Sequence, residues 1–171
     1  MIEERNYSEI TKEDLITLLQ GSIDCLQSYF VKGDGTKWQS LYNIYKPLCV
    51  ALCQGAAMHY YDKKNGIKDF DVWFFYPYNQ EHLPYRTVWS WDLKDPKFGK
   101  HPDFKQYEGR KVDVLVRSLK KYYPNNPKET LIDYLKNNPN KTPKELSKKA
   151  VVLILPNKLL GKTIWYKNKS L

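Results

Sequence analysis

Cysteine is scarce in this chain, and what there is cannot form a closed set. The three residues Cys25, Cys49 and Cys53 are an odd number, so a complete set of internal disulfides is excluded. Together with three histidines, they do not fall at spacings that supply the four ligands of a structural zinc site. Cys49 and Cys53 lie in the apolar run Leu48-Cys49-Val50-Ala51-Leu52-Cys53 and read as small buried hydrophobes. Long apolar runs are missing too: none approaches the roughly 20 residues that cross a bilayer. The polar start Met1-Ile2-Glu3-Glu4-Arg5 has no basic segment followed by an apolar one, so no secretory signal is read. The expectation is a cytoplasmic protein with no membrane partner. No internal repeat and no Gly/Ser linker interrupts the chain. Its 171 residues predict a single domain over 1–171, with a helical part at 1–47, a core at 48–119, and C-terminal helices and a strand at 120–171.

What is present is a hydrophobic fraction of 42% and an aromatic fraction of 15%, enough to bury a core and too much for a disordered chain. Basic residues exceed acidic ones, for a net charge of +9. Such an excess draws phosphate-rich partners. The charge is scattered, however, and heaviest from Lys120 onward, which also suits a solvated face.

Hydrophobic periodicity divides the chain into three zones. Thr11 caps a helix whose first turn carries Glu13 and Asp14. Leu15, Leu18, Leu19, Ile23, Leu26 and Phe30 form its buried face. Gly21-Ser22 is expected to kink or divide it, and Gly33-Asp34-Gly35 to end it. In the second zone, Leu48 to Cys53 reads as a buried strand, and Lys68 to Tyr76 and Arg110 to Leu119 as two more. Pro77 to Gly109 is expected to be a long ordered loop with at most one short strand at Thr87-Val88-Trp89. In the third zone, Asn126-Pro127 starts a helix that Asn138-Pro139 stops. Thr142-Pro143-Lys144-Glu145 reads as a capping box, and Ala150 to Leu155 as a fourth strand. The fold class predicted is α/β (α+β): a mixed sheet with helices packed on it.

Two acidic residues inside one strand need a reason. An ionised carboxylate in a half-buried strand costs several kcal/mol unless paired. Asp69 and Asp71 are two apart and so share a face, where like charges raise each other's pKa. A hard divalent cation resolves the conflict. Asp113, between Val112 and Val114, supplies a third carboxylate if its strand lies alongside. Such a triad suits two metal ions about 4 Å apart and in-line attack on phosphorus. Gly55-Ala56, between a strand and a helix, offers free backbone N–H groups to a phosphate.

Gly55-Ala56, twelve residues, Asp69-Phe70-Asp71-Val72, and a later Val112-Asp113-Val114 resemble the signature of the nucleotidyltransferase superfamily of DNA polymerase beta type. The longer phrases Gly66-Ile67-Lys68-Asp69-Phe70-Asp71-Val72-Trp73 and Gly109-Arg110-Lys111-Val112-Asp113-Val114-Leu115 look like those of small bacterial members. The resemblance covers roughly residues 48 to 119. It implies transfer of a nucleoside monophosphate from an NTP to a hydroxyl, with Mg2+ or Mn2+ as cofactor. By it, Asp69, Asp71 and Asp113 are catalytic and metal-binding, and Gly55 and Ala56 hold the triphosphate. The acceptor it leaves open: an RNA, a protein or a small molecule. One departure is Ala56, where the family has Gly or Ser and alanine brings no hydroxyl to the phosphate. The alternative is a catalytically inactive nucleotidyltransferase-like protein that binds RNA, nucleotide or a partner protein.

Plainer readings stand beside these. Asp69 and Asp71 also fit a polar strand face paired with Lys68, Arg110 or Lys111. Trp73 and Phe75 fit core packing better than base stacking. Arg117 suits a phosphate contact or a solvated strand end. His59, His82 and His101 are scattered and read as structural. Gly161-Lys162-Thr163 fails as a phosphate loop because Pro156 stands where the first glycine belongs. Pro102-Asp103 with Glu108 and Lys111 fails as a nuclease set because its last spacing is one residue too long.

Overall fold

Thr11 starts the first helix by a reciprocal cap. Its Oγ1 accepts the Asp14 N–H at 3.2 Å, and Asp14 Oδ2 accepts the Thr11 N–H at 2.7 Å. The helix, α1, then runs unbroken over Lys12–Lys32. Leu15, Leu18 and Leu26 are fully buried, and Leu19 and Ile23 pack against the same core. Gly21-Ser22 does not divide it, contrary to expectation. The Trp91 indole Nε1 donates to Ser22 Oγ at 3.1 Å, and any Cβ on Gly21 would overlap the Trp91 ring. The pair is a notch for an indole, not a helix stop. The structure, a computed structural model, describes residues 4–32, 46–78 and 86–171, with the side chains of 29–32 and 86–88 excepted. The expected stop at Gly33-Asp34-Gly35, the Phe30 side chain and His82 lie outside that set.

Among the described residues seven strands form one mixed sheet: β1 Cys49–Cys53, β2 Phe70–Pro77, β3 Arg86–Leu93, β4 Arg110–Leu119, β5 Ala150–Leu155, β6 Thr163–Tyr166 and β7 Lys169–Ser170. Their order across the sheet is β3-β4-β2-β1-β5-β6-β7. The β2–β4 pair is parallel and the other pairs antiparallel. β1 lies between β2 and β5 and is buried at all five residues, as its unbroken apolar run requires. Four α-helices are described: α1, α2 Gln54–Asp62, α3 Pro127–Asn137 and α4 Lys141–Ser147. The predicted α/β class with a mixed sheet is therefore the observed one. Among the described residues no helix is long and apolar enough to cross a membrane.

Strand alternation sends side chains to two separate cores. Phe70, Val72, Phe74 and Tyr76 of β2 join Val112, Val114 and Val116 of β4 on the face covered by α1 and α2. Trp73, Phe75, Leu115 and Leu119 face the other way, onto Leu131, Tyr134 and Leu135 of α3 and Leu146 of α4. Each large apolar side chain fully buried in this way contributes roughly 1.5–3 kcal/mol. Asp71 and Asp113 belong to the second face, at the end of the sheet that the apolar residues leave.

Three sequence readings need correction. The 77–109 segment is not a loop with a fragment of strand. It holds β3, which pairs with β4 from Arg86↔Arg117 to Leu93↔Arg110. Trp89 and Trp91 anchor β3 against the α1 side, so the aromatic residues that looked like loop decoration are one face of a strand. α4 starts at Lys141 after the N-cap Asn140, two residues before the expected cap, and Pro143 lies within its first turn, where a missing N–H costs little. β6 and β7 were not anticipated. They are joined at Lys167-Asn168, both with positive φ of 46° and 67°, the backbone of a tight two-residue hairpin.

Candidate functional site

The register of the sheet assembles the site. Asp71 lies directly opposite Asp113 across the parallel β2–β4 pair. On one side Asp113 faces Ser90 of β3. On the other Asp71 faces Cys53, the last residue of β1, which faces Val151 of β5. One row thus crosses five strands. Asp69 stands just before β2, outside the strand that the sequence began at Lys68, and lines the same cleft as Asp71. Directly after Cys53, Gln54 adopts a left-handed φ of 66° and the chain enters α2 through Gly55 and Ala56. Just before Val151 stand Lys148 and Lys149. Strand ends aligned at one edge therefore bring acids, lysines and a helix N-terminus together.

At this edge lies a cleft of about 400 Å³ lined by Arg5, Lys68, Asp69, Asp71, Glu145, Lys148 and Lys149, with Gln54, Gly55 and Ala56 along its side; Asp113 stands outside this lining. Burial pushes the Asp71 carboxyl up to about 8, and the charges of Asp69 and Asp113 push the same way. Lys149 and Lys111 act in the opposite direction but do not compensate. The Cys53 thiol is raised by its own burial and by the Asp71 charge. It is a packing group, as is the fully buried Cys49.

Asp113 is held from two sides. Ser90 Oγ donates to its Oδ1 at 2.6 Å, and Lys111 Nζ lies 3.1 Å from the same oxygen. Among the described residues no three His, Cys, Asp or Glu side chains converge closely enough, as they stand, to hold a metal ion. The chemistry of the two cleft carboxylates suits a hard divalent cation: Asp69 and Asp71 line the same cleft, and the two neighbouring lysines leave Asp71 strongly disfavoured as an anion.

The other half of the site is the start of α2. Cys53, its N-cap, gives no side-chain cap bond, so no side chain at that position satisfies the first-turn N–H groups. The residue with positive φ is Gln54, not Gly55. Strain at a non-glycine residue of about 1–3 kcal/mol is a feature of functional sites. Gly55 has a different use: its carbonyl accepts Asn65 Nδ2 at 2.9 Å, and a Cβ there would crowd that amide at 3.1 Å. The Ala56 side chain is buried in the core. A serine there would bury its hydroxyl, so what position 56 offers the cleft is backbone.

Several residues settle into plain structural roles. His59 is buried; its Nδ1 accepts the Gly66 N–H at 3.0 Å, which leaves Nε2–H to donate to the Ser8 carbonyl at 3.1 Å. His101 Nδ1 accepts the N–H groups of Asp103 and Phe104. Trp73 and Phe75 stack in the second core at 5.9 Å. Arg117 is neither in the carboxylate cleft nor a solvated strand end: it is 9% exposed and donates from Nε to Tyr134 Oη at 3.2 Å. Lys68 pairs with Asp103 at 3.4 Å.

Sequence reasoning missed Arg5, Ser90, Lys148 and Lys149. The two lysines looked like part of a solvated C-terminal surface. Their one signal was position: they immediately precede a strand, and that strand lies beside β1. Nothing marked Arg5, which reaches the cleft from the segment before α1, whose Asn6 bridges to Ile67. Comparison with known proteins finds no family model that matches the sequence, no curated protein that matches it and no solved structure that matches the fold.

Proposed function

We propose that this protein is a metal-dependent nucleotidyltransferase that moves a nucleoside monophosphate from an NTP to a hydroxyl acceptor. The observation that carries the reading is the Asp71–Asp113 register, with Asp69 and Asp71 lining a cleft walled by a helix N-terminus. Asp69, Asp71 and Asp113 would hold Mg2+ or Mn2+. A divalent ion there neutralises phosphate charge and lowers the pKa of the attacking hydroxyl. The first-turn N–H groups at Gly55 and Ala56 and the ammonium group of Lys149 would face the triphosphate, beside Lys148, which pairs with Glu145 at 2.9 Å. The acceptor oxygen forms a bond to the α-phosphorus, the bond from that phosphorus to the bridging β-oxygen breaks, and pyrophosphate leaves. Asp113 takes the hydroxyl proton.

Calorimetric titration with each NTP and Mn2+ tests this. Wild type is expected to bind in a metal-dependent way, and Asp69→Asn/Asp71→Asn to lose binding. Binding retained by the double variant removes these residues from the site.

Ser90 acts in this reading as a positioning residue for Asp113. Ser90→Ala is expected to weaken Mn2+ affinity on the order of 10-fold, as loss of an outer partner of a ligand does, with the thermal midpoint nearly unchanged because Ser90 is exposed. Ser90→Thr should restore it. Equal Mn2+ affinity in wild type and Ser90→Ala counts against the role.

A second reading, a binding protein without turnover, is favoured by one observation: Asp113 is already engaged by Ser90 and Lys111. Nucleotide binding without pyrophosphate release under any metal identifies it.

A further inference from the structure

Asp113 lies opposite Asp71 in the sheet yet stays out of the cleft that Asp69 and Asp71 line. What engages it is a cation two residues away. Lys111 and Asp113 share a face of β4, and Lys111 Nζ lies 3.1 Å from Asp113 Oδ1. The two side chains are only 20% and 16% exposed, whereas those of the nearby pair Lys94–Glu108 are 62% and 77% exposed. A pair so withdrawn from water is a held contact, unlike an ion pair on the surface.

A second contact fixes the ammonium. It lies 4.6 Å from the centre of the Phe104 ring, whose electron-rich face attracts a cation. Phe104 is itself anchored: its N–H donates to His101 Nδ1 at 3.1 Å, and its ring packs on His101 and Tyr107. The charge of Lys111 is also felt at Asp71. Lys111 therefore stands among the carboxylates as a resident cation.

A divalent ion and this ammonium cannot both sit against Asp113, because like charges a few ångströms apart repel strongly in a partly buried site. Ser90 raises no such conflict. Its hydroxyl is neutral, and a carboxylate that takes up a metal keeps its outer hydrogen-bond partner. Once displaced, Lys111 has another anion within reach. Asp92 of β3 lies directly opposite it, and residues so paired have Cβ atoms about 4.5–5.5 Å apart. Asp92 is held in place by the N–H groups of Glu108 and Gly109.

We infer that Lys111 competes with the divalent ion for Asp113: the ion binds through Asp69 and Asp71, and Asp113 joins them only as the ammonium withdraws toward Asp92. Lys111 is thus a positioning residue that sets metal affinity by holding Asp113 back. The inference rests on the metal site of the transferase reading and not on the transfer reaction.

Calorimetric titration of the full chain with Mn2+ alone, without nucleotide, tests it. Lys111→Met keeps a side chain that packs on the Phe104 ring and removes the charge. It is expected to bind Mn2+ about 10-fold more tightly than wild type, an effect between those of an exposed and a fully buried pair. A merely structural lysine gives no gain. Lys149→Met removes another charge felt at Asp71 but leaves the Asp113 contact intact, and should gain no more than about 3-fold. In an Asp113→Asn background, Lys111→Met should likewise lose its advantage. Circular dichroism confirms that each variant is folded, and Lys111→Gln serves if the methionine variant is not. Mn2+ binding by Lys111→Met no tighter than by wild type, a gain matched by Lys149→Met, or binding by none of these proteins overturns the inference. The NTP titration is read separately. Its failure with these Mn2+ affinities as expected removes the transfer reaction and leaves the competition; NTP binding with no gain in Lys111→Met removes the competition alone.

Discussion

Replacing Asp71 with asparagine will stabilise the protein at pH 8 and above, and will abolish its response to divalent metal. The carboxyl is held up to about 8 in the folded chain, by burial first and then by Asp69 and Asp113. Unfolded, it titrates near 3.9. Between those values the folded state holds a proton that the unfolded state has released, so this group lowers stability as pH rises from about 4 to 8, and the loss is complete above that. Asparagine keeps the shape and removes the titration. A full shift of about four units corresponds to ~5.5 kcal/mol. Asp71 is partly exposed in a cleft, where water screens it, and about 2–3 kcal/mol is the expected gain. For a chain of this length that raises the thermal midpoint by on the order of 5–10 °C. The advantage should fade toward pH 4. Added Mn2+ should raise the wild-type midpoint and leave Asp71→Asn unmoved. Scanning calorimetry at both ends of the pH range, with and without Mn2+, measures all of this. Parallel pH profiles for the two proteins would show that Asp71 carries no such conflict.

The other large effect is expected far from any charge conflict, at Gly109. This residue precedes β4 and passes so close to the end of β3 that a Cβ would overlap the Leu93 carbonyl and crowd the Lys94 backbone. Backbone cannot turn aside as a flexible side chain can. Asp92 fixes the same approach, accepting the N–H groups of Glu108 at 2.7 Å and Gly109 at 2.8 Å. Gly109→Ala must therefore push β3 and β4 apart or break the Asp92 clamp. The expected cost is about 3 kcal/mol, in the range of overpacking against backbone, or a midpoint lower by roughly 6–12 °C. Lys105→Ala, at an exposed position of the same connection, should shift it by less than about 2 °C. Thermal unfolding of the three proteins decides the matter, and equal midpoints for wild type and Gly109→Ala would refute the packing argument. The site feels this substitution too, because the β3–β4 register sets Ser90 against Asp113.

Particular elements show how much was legible. Asn126 caps α3 as read, accepting the Glu129 N–H at 3.1 Å, and β5 has the bounds its apolar run suggested. Both are local: a cap needs three residues, and a buried strand needs only an unbroken apolar stretch. β3 was mostly missed, since prolines crowd its surroundings and Trp89 and Trp91 find their partners far away in α1. Gly21-Ser22 was misread for the same reason, because the indole that explains it comes some seventy positions later.

The amino-acid sequence by itself determined that Cys49 and Cys53 are core residues and that helices and strands mix in one α/β chain. Those properties follow from periodicity and side-chain chemistry over a few residues. Only the tertiary structure decided that Asp113 lies opposite Asp71 rather than one residue away, that Ser90 and Lys111 hold it, and that Arg5, Lys148 and Lys149 join the cleft. Register between distant strands is set by the packing of both sheet faces at once, and a slip of one residue would send each carboxylate into the opposite core.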